Sequence, residues 1–497
     1  MELVDLTQPE LQGLTPATTP VDLGPLRAAL SSEHALVTDA DVVASYSIDH
    51  AMFCPFGTAR GLVRAETIED VQATVRFAAA NRIPIVPQGA RTGLAGAANA
   101  VDGSLLLSLH KMDRLLDVNP VESTCTVQPG IINKDLKDQL APHGLAYPPD
   151  PGSVAISTIG GNVSTNAGGM CCVKYGVTRQ YVRSLKVVLA DGTLTTVGRH
   201  TKKDVAGLEL SQLFIGAEGT LGVVVEITLD LVPLLPAPLT AMVLFDDQVA
   251  AVGTVTDFLA AGNKPNLMEF MDGKTVAMVN DYQDFGLPDG IAGMLLVQSD
   301  GDGSLERAKD ELARLEEVAK ANGALDVMYS DDPADSDMLV AARRAVSPAT
   351  EKYVNNHGGG SLVDDVCIPR GKMREFFAAL LELDARFTDA EVTTCAHVGD
   401  GNMHPTVLFD ASDATSTEHA RELFAAIMQL GLDLGGTVTG EHGVGYLKAK
   451  WLGEELDPAS KHIHAVIKHG LDPLGIMNPG KMRYPFVNEP VKISEDA

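Results

Sequence analysis

The stretch "ETIEDVQATVRFAAANRIPIVPQGARTGLAGAAN", residues Glu66–Asn99, decides the fold because it predicts a helix, a strand and a glycine-rich loop in direct succession. Thr67 and Asp70 form a capping-box pair, and apolar residues follow them at helical spacing. Pro84 stops the helix, and Ile85–Pro87 is typical of a short buried strand. A glycine-rich loop placed directly after a strand exposes backbone N–H groups to an anion in α/β proteins.

A second segment is equally rich in glycine and asparagine: "DPGSVAISTIGGNVSTNAGGMCCVKYG", residues Asp150–Gly176. One such loop is as well explained by a long surface turn. Two of them, with long uncharged spans, indicate backbone that approaches a flat cofactor and binds its pyrophosphate. Neither has the G-x-G-x-x-G spacing of a dinucleotide fold or the lysine of a P-loop, so the sequence does not support a Rossmann domain.

The bulk composition is that of a globular protein and excludes one class of partner. The 497 residues are enough for about two or three domains, and 45% of them are hydrophobic. The formal net charge of −28 argues against nucleic acid, which requires a basic patch. The six cysteines form neither a C-x-x-C pair nor an iron–sulfur spacing, which favours a reducing compartment.

Location follows from what the pattern does not contain. The N-terminal residues carry no basic region followed by an apolar run, so we expect no secretory signal. The longest uncharged runs are interrupted by polar residues or prolines, so we expect no membrane span. We therefore predict a cytoplasmic protein, with peripheral attachment to a membrane left open.

The first half is predicted to be a single domain. Asp191-Gly192 is the turn signal of a hairpin, and prolines at positions 233, 236 and 238 indicate a boundary. We divide the chain into an N-terminal leader (1–40), a first domain (41–236), a second domain (237–455) and a C-terminal segment (456–497).

The second half alternates amphipathic helices with strands, which predicts an α+β domain with an antiparallel sheet. In the helix expected at residues 302–323, Leu305, Leu312 and Leu315 are predicted to face inward. Further helices are expected at 371–387 and 417–436. Strands are expected near 293–298, 361–368 and 391–398.

Two short clusters carry the metal-binding chemistry. "HVGDGNMHP" places His397 and His404 around a predicted Gly-Asp-Gly-Asn loop, and "TGEHGVG" places Glu441 beside His442. Two imidazoles and a carboxylate suit Zn, Mn or a similar divalent ion. The H-x6-H spacing alone is equally typical of unrelated surface or core histidines.

The ordered motifs PQGARTGLAG, IGGNVSTNAGG, LADGT, FIGAEGTLG, NLMEFMD, HVGDGNMHP, GTVTGEHGVG and DPLGIMNPGK resemble one family over nearly the whole chain. This family is the FAD-linked D-2-hydroxy acid dehydrogenases, of the vanillyl-alcohol-oxidase or PCMH type. It includes the glycolate oxidase catalytic subunit, FAD-linked D-lactate dehydrogenases and D-2-hydroxyglutarate dehydrogenase. The resemblance implies an α+β fold: a PCMH-type FAD-binding domain followed by an α+β substrate domain.

The resemblance also implies where FAD binds, with its pyrophosphate on the loop from Gly89 to Gly96. The assigned residues are Pro87, Gly89, Ala90, Arg91, Thr92, Gly93, Leu94, Gly96, Asp150, Pro151, Ser153, Thr158, Gly160, Gly161, Asn162, Thr165, Asn166, Gly168, Glu218, Gly219, Val224 and Asn478. Gln88 and Arg91 depart from the family pattern, and Arg91 either pairs with a phosphate or faces solvent. Because neither loop contains a histidine, we expect non-covalent FAD.

In the same way the resemblance assigns a divalent metal to His397, His404 and Glu441. His442 is assigned as the base that accepts the proton of the substrate hydroxyl. The alternative is that His442 only orients Glu441. A neutral imidazole suits proton transfer near neutral pH.

The substrate carboxylate is assigned to Arg343, since an arginine fork suits a bidentate contact. Arg344 is the alternative, and Ser347 and Asn402 are supporting donors. The 2-hydroxyglutarate enzymes carry a lysine where this chain has Val363, which favours D-lactate, glycolate or a related monoacid.

The sequence therefore predicts an FAD- and metal-dependent dehydrogenase that converts a D-2-hydroxy acid to the 2-oxo acid. Its electrons are expected to pass to a separate quinone, cytochrome or electron-transfer protein. The alternatives are a D-2-hydroxyglutarate dehydrogenase, a flavin oxidase of another alcohol, a non-catalytic subunit of a glycolate oxidase, and a flavin-free metallohydrolase. A homodimer is left open.

Overall fold

The structure, a computed structural model, describes residues 21–330 and 333–482. Its first sheet has the order β1-β2-β4-β3, with β4 parallel to both β2 and β3. The strands are β1 (Leu36–Val37), β2 (Gly61–Arg64), β3 (Ile85–Gln88) and β4 (Leu105–Ser108). The helices beside them are α1 (Gly24–Ala29), α2 (Ala40–Ala44) and α3 (Ile68–Asn81).

The predicted capping box of α3 is confirmed. Thr67 Oγ1 accepts the backbone N–H of Asp70 at 3.1 Å, and the Asp70 carboxylate accepts the backbone N–H of Thr67 at 3.1 Å. The helix ends at Asn81, and the short strand β3 leads directly into the glycine-rich loop. The local sequence thus determines how the loop leaves the sheet.

A second, antiparallel sheet completes the first half in the order β5-β6-β10-β8-β9, and the short pair β7–β11 lies apart from it. The strands are β5 (Leu115–Asn119), β6 (Thr124–Val127), β7 (Leu145–Ala146), β8 (Val182–Val188), β9 (Leu194–Gly198), β10 (Val223–Asp230) and β11 (Val232–Pro233). The helices are α4 (Asn133–Leu140), α5 (Ile159–Thr165), α6 (Cys172–Tyr175) and α7 (Ser211–Phe214). The predicted hairpin at Asp191-Gly192 is the β8–β9 pair.

The second half is built on one large antiparallel sheet of order β15-β12-β14-β13-β18-β19-β16, in which β17 also pairs with β19. The strands are β12 (Leu239–Phe245), β13 (Leu267–Asp272), β14 (Gly293–Ser299), β15 (Asp326–Ser330), β16 (Gly359–Val363), β17 (Val366–Cys367), β18 (Ala390–His397) and β19 (Asn402–Asp410). The helices are α8 (Gln248–Ala260), α9 (Gly273–Tyr282), α10 (Leu305–Ala321), α11 (Pro333–Arg344), α12 (Val346–Asn356), α13 (Met373–Asp384), α14 (Ala414–Asp433), α15 (Ala449–Glu455) and α16 (Pro458–Leu471). The predicted α+β class is confirmed.

One local prediction for this half was wrong. Leu305 is 59% exposed, because it is the first residue of α10 and lies outside the inward stripe that Leu312 and Leu315 form. His397 ends strand β18 and His404 lies in strand β19, so the predicted turn lies between the two histidines. The Gly-Asp-Gly turn is shorter than the motif, and its ends continue directly as paired strands.

The C-terminal residues return to the first sheet. Met477 forms a parallel bridge with Ile85, and the backbone N–H of Asn478 donates to the carbonyl of Ile85 at 2.8 Å. The division of the chain at residues 40, 236 and 455 stays a prediction, and residues 1–20 of the leader and 483–497 of the C-terminal segment lie outside the described residues. In the part of the chain that the structure describes, no helix has both the length and the apolar character needed to cross a bilayer.

Asp70 provides a test of this packing. Its carboxylate also accepts the backbone N–H and hydroxyl of Ser31, at 2.7 and 2.8 Å. Burial alone would raise the pKa of Asp70, but its hydrogen bonds with Ser31, Glu66 and Thr67 lower it below the usual range. We expect Asp70→Asn to reduce stability at neutral pH by about 1–2 kcal/mol.

A carboxylate whose pKa is depressed by folding stabilises the protein above its unfolded pKa, and this contribution is lost as the pH falls through its folded pKa. The Tm difference between wild type and Asp70→Asn should therefore shrink below about pH 4. Exposed Asp113→Asn is the control. A Tm difference that persists unchanged in acid would contradict this assignment.

Candidate functional site

The β18–β19 hairpin brings the two predicted histidines together. His397 ends β18 and pairs with Asn402, while His404 pairs with Cys395, and the imidazole centroids of the two histidines lie 5.0 Å apart. Glu441 reaches them from the following loop. Its Oε1 lies 3.2 Å from His397 Nε2 and 3.3 Å from His404 Nε2. The structure thus places these three side chains in contact.

His442 joins the same cluster. Its Nε2 lies 3.5 Å from Glu441 Oε1, and its ring stacks on His404 with centroids 4.9 Å apart. Three imidazole nitrogens therefore surround one carboxylate oxygen. Among the described residues, neither Glu441 Oε2 nor His442 Nδ1 has a hydrogen-bond partner, although both atoms are buried.

A fully buried carboxylate, that of Asp365, holds the loop that carries Glu441 and His442. It accepts the backbone N–H of His442 at 2.9 Å and that of Glu441 at 3.2 Å. Lys448 Nζ donates to it at 2.9 Å and Thr439 Oγ1 at 2.6 Å. Burial alone would raise the pKa of Asp365, but the charges of His442, Lys448 and His404 lower it far below the usual range.

Glu269, on β13, orients the other side of the cluster. Both of its carboxylate oxygens lie 2.8 Å from His397 Nδ1, and Oε2 also lies 2.8 Å from Arg343 Nε. When His397 donates its Nδ1 proton to Glu269, its Nε2 directs a lone pair toward Glu441. At 3.2 Å this contact requires a positive charge between the two atoms, supplied either by a second proton on His397 or by a metal cation.

The electrostatics likewise favour a positive charge between His397 and Glu441. Burial opposes ionisation of Glu441, but His397, through its charge and hydrogen bond, and the hydrogen bonds from His404 and His442 hold the pKa of its carboxyl well below the usual range. Burial would lower the pKa of His397, but Glu269 and Glu441 raise it well above the usual value. Burial lowers the pKa of His404. This donor set, with imidazole and carboxylate lone pairs converging in a buried space, fits a divalent cation.

A second set of residues, Asp365, His404, Glu441 and His442, also offers ligand atoms within 4.8 Å of one another. The oxygens of Asp365 are already occupied by the N–H and O–H donors that fix the loop. We therefore favour His397, His404 and Glu441 as the metal ligands. Asp365 supports the loop that carries Glu441.

One cavity of about 860 Å³ connects this cluster with both glycine-rich loops. His397, His404, Glu441 and His442 form one part of its wall. The predicted cofactor residues that line it are Pro87, Gly89, Ala90, Arg91, Thr92, Gly93, Leu94, Pro151, Ser153, Thr158, Gly160, Gly161, Asn162, Thr165, Gly168, Glu218, Gly219 and Val224.

The other four predicted cofactor residues do not line the cavity. Gly96 lies against Cys54, and Asp150 accepts the backbone N–H of Cys171 at 3.1 Å. Asn166 caps α5 and accepts the backbone N–H of Arg179. The amide of Asn478 donates to the carbonyls of Ala97 and Glu218 at 2.9 and 2.7 Å. The structure thus gives these residues contacts that shape the wall.

The first glycine-rich loop fits an anionic cofactor. Within the described residues, the backbone N–H groups of Gly89 to Leu94 have no hydrogen-bond acceptor, although these residues line the cavity. Such a row of free N–H groups suits a pyrophosphate. Arg91 stacks on Tyr46 with its guanidinium carbon 4.1 Å from the ring centroid and donates to the carbonyl of Ser45 at 2.5 Å.

The predicted carboxylate-binding residues take different positions. Arg343 and Ser347 line the cavity; Arg343 is buried, and among the described residues its Nη groups have no acceptor. Arg344 also lines the cavity but is half-exposed, with Nη2 3.7 Å from Asp150. Asn402 does not line it, because its amide donates to Asp365 at 2.9 Å and supports that carboxylate.

Sequence reasoning missed Glu269, Asp365 and Lys448. Each is a charged residue in a largely apolar stretch, a pattern that indicates a buried and therefore paired charge. That signal was present, but only the fold shows with which side chains these charges pair.

Comparison with known proteins identifies the family. Residues 59–198 match the model of an FAD binding domain, and residues 236–482 match that of the C-terminal domain of FAD linked oxidases. The glycolate oxidase subunit GlcD of Bacillus subtilis is 36% identical, over 85% of this chain and 88% of the relative. This chain belongs to the FAD-linked oxidase family. It is an oxidoreductase. These matches confirm the family and the FAD cofactor that the motifs predicted.

Two further comparisons agree with this assignment. A D-lactate dehydrogenase of Anaerostipes hadrus is 34% identical, over 88% of this chain and 92% of the relative. The crystal structure of p-cresol methylhydroxylase with substrate bound has a TM-score of 0.77 at 18% identity, covering 92% of this chain and 95% of that chain. That likeness confirms the PCMH-type fold of this FAD-linked oxidase.

Gly168 tests how the FAD-binding half constrains the cluster. A Cβ at this position would lie 2.7 Å from Glu441 Oε2 and 3.1 Å from Glu441 Cβ. Because such a contact displaces the carboxylate, we expect Gly168→Ala to weaken divalent-metal binding by about tenfold. Metal titration against a chelator measures this, with Gly453→Ala as the control, since a Cβ there meets open space. Equal metal affinity in both variants would contradict the proposed ligand role of Glu441.

Proposed function

We propose that this FAD-linked oxidase removes two electrons and two protons from a small D-2-hydroxy acid and releases the 2-oxo acid. The observation that carries the proposal is the single cavity joining the free N–H groups of the loop at Gly89 to the imidazole–carboxylate cluster around Glu441. A flavin bound along the loops and an acid bound at the cluster would therefore share one cavity. The names of the two relatives support the same substrate class.

Each residue has a chemical task in this proposal. Arg343 binds the substrate carboxylate through its Nη groups while Glu269 fixes its Nε side. Ser347, on α12, is a further hydrogen-bond donor in the cavity wall. His442 receives the hydroxyl proton, because its ring lines the cavity and Asp365 holds its backbone in place.

The two groups that the chain would hold supply the remaining chemistry. FAD provides the hydride acceptor, and a Zn or Mn ion on His397, His404 and Glu441 lowers the pKa of the substrate hydroxyl. We propose that FAD is bound non-covalently, because neither glycine-rich loop contains a histidine.

The cavity wall favours a monoacid over a diacid. Val363 is one of the aliphatic residues in the cavity wall, together with Val346, Val354 and Leu362. An aliphatic surface suits hydrogen or a small alkyl group at Cα, whereas the second carboxylate of 2-hydroxyglutarate requires a polar partner. We therefore propose D-lactate, glycolate or a related monoacid.

An anaerobic panel of D- and L-2-hydroxy acids tests the function. We expect D-lactate, glycolate or a related D-monoacid to bleach the flavin absorbance faster than D-2-hydroxyglutarate, without any partner protein. Removing metal with a chelator should abolish this reduction, and Zn or Mn should restore it. Full turnover by metal-free enzyme would favour a flavin oxidase of another alcohol. A colourless protein that refuses FAD would favour a metallohydrolase.

His442 is the second test. We expect His442→Ala to slow flavin reduction by about 10²–10⁴-fold while FAD and metal remain bound, because the proton of the substrate hydroxyl then loses its acceptor. Stopped-flow absorbance measures the rate. His419→Ala, which changes a histidine paired with Asp389 at the surface, is the control. Near-normal reduction in His442→Ala would leave His442 only the orientation of Glu441.

A further inference from the structure

The loop at residues 439–445 carries both Glu441 and His442. Carboxylates from both halves of the chain accept its backbone N–H groups. Asp365, in the second half of the chain, holds the N–H groups of Glu441 and His442. Two further N–H groups of the loop donate to a glutamate in the first half of the chain. Val444 donates to Glu218 Oε1 at 2.5 Å, and Gly445 donates to Glu218 Oε2 at 2.8 Å.

Glu218 is built into the FAD-binding half through its backbone. Its N–H donates to the carbonyl of Ser164 on α5 at 2.8 Å, and its own carbonyl accepts the amide of Asn478 at 2.7 Å. The residue has a left-handed φ of 51°, which is unfavourable for a glutamate. Surrounding contacts therefore impose this conformation, and it directs the carboxylate across the cavity wall toward the loop.

The loop is shaped to receive that carboxylate. Gly443 has a φ of 83°, and a Cβ on it would lie 2.6 Å from Glu218 Oε1. A side chain at position 443 would thus displace the carboxylate from its N–H donors. The neighbouring carbonyl of Ala95, in the first glycine-rich loop, accepts the N–H groups of Tyr446 and Leu447 at 2.8 and 3.1 Å.

We propose that Glu218 is a positioning residue that fixes the loop of Glu441 and His442 against the flavin site, rather than a contact to the adenosine part of FAD. This inference rests on the proposed function for its catalytic consequence, but the fastening itself does not depend on it. Each oxygen of this buried carboxylate accepts one backbone N–H group of the loop, so the side chain is directed at the loop. The same contacts tie the geometry of the cluster to the glycine-rich loops that border the cavity.

The test compares Glu218→Gln with Glu226→Gln in the FAD-loaded enzyme. Glutamine keeps the size of the side chain but turns an NH₂ group toward one of two N–H donors. Glu226, eight residues along, forms an ion pair with Lys186 at 2.9 Å and serves as the matched control. In Glu218→Gln we expect hydrogen exchange at the amides of Val444 and Gly445 to rise about tenfold or more. We also expect metal affinity to fall about tenfold, with FAD content unchanged.

The kinetic signature separates positioning from general destabilisation. In Glu218→Gln the rate of flavin reduction should fall while the KM for substrate stays close to that of wild type, because Arg343 is untouched. If Glu218→Gln does not fold, Glu218→Asp, which retracts the carboxylate by one methylene, should show the same loss of protection and metal affinity.

Three outcomes would overturn the proposal. They are unchanged exchange at positions 444 and 445, unchanged metal affinity despite faster exchange, and loss of FAD with the loop still protected; the last would assign Glu218 to the cofactor. Failure of the proposed function is visible separately in wild type, as absence of metal binding or of reduction by any 2-hydroxy acid. In that case the exchange rates still decide whether Glu218 fastens the loop.

Discussion

The site depends on the hydrogen bonds and the ion pair made by one fully buried carboxylate, that of Asp365. Burying an ion costs several kcal/mol unless donors replace its hydration. Asp365 recovers that cost from the ammonium of Lys448, the hydroxyl of Thr439, the amide of Asn402 and two backbone N–H groups. These donors belong to separate segments, so the charge is compensated only when the strand hairpin and the loop of Glu441 meet correctly.

The cluster around Glu441 extends the same principle. Glu269 contacts both His397 and Arg343. One anion is therefore shared by a proposed metal ligand and by the arginine proposed to bind the substrate carboxylate. Because the side chain of Glu269 is fully buried, moving either partner leaves a charge unpaired. The proposed metal site, the proposed carboxylate clamp and the large sheet are therefore connected through a few buried carboxylates.

Sequence patterns predicted much of the fold where the signal is local. The capping box at Thr67, the turn at Asp191-Gly192 and the glycine-rich loops all appear as expected, since short-range sterics and hydrogen bonds determine them. The prediction failed where packing decides: Leu305 is exposed at the start of its helix. Hydrophobic periodicity cannot show where a helix meets its core or which strand a turn continues into.

The sequence by itself determined the residue types of the site: glycine-rich backbone for a flat anionic cofactor, and two imidazoles and a carboxylate for a cation. Only the tertiary structure decided that these groups border one cavity, because His397, Glu441 and Gly168 are separated by long stretches of chain. It also decided that the Glu218 carboxylate and the Asn402 side-chain NH₂, assigned to ligands from the motifs, contact other groups of the protein. Hydrogen-bond capacity is a property of the folded neighbourhood, which no local pattern records.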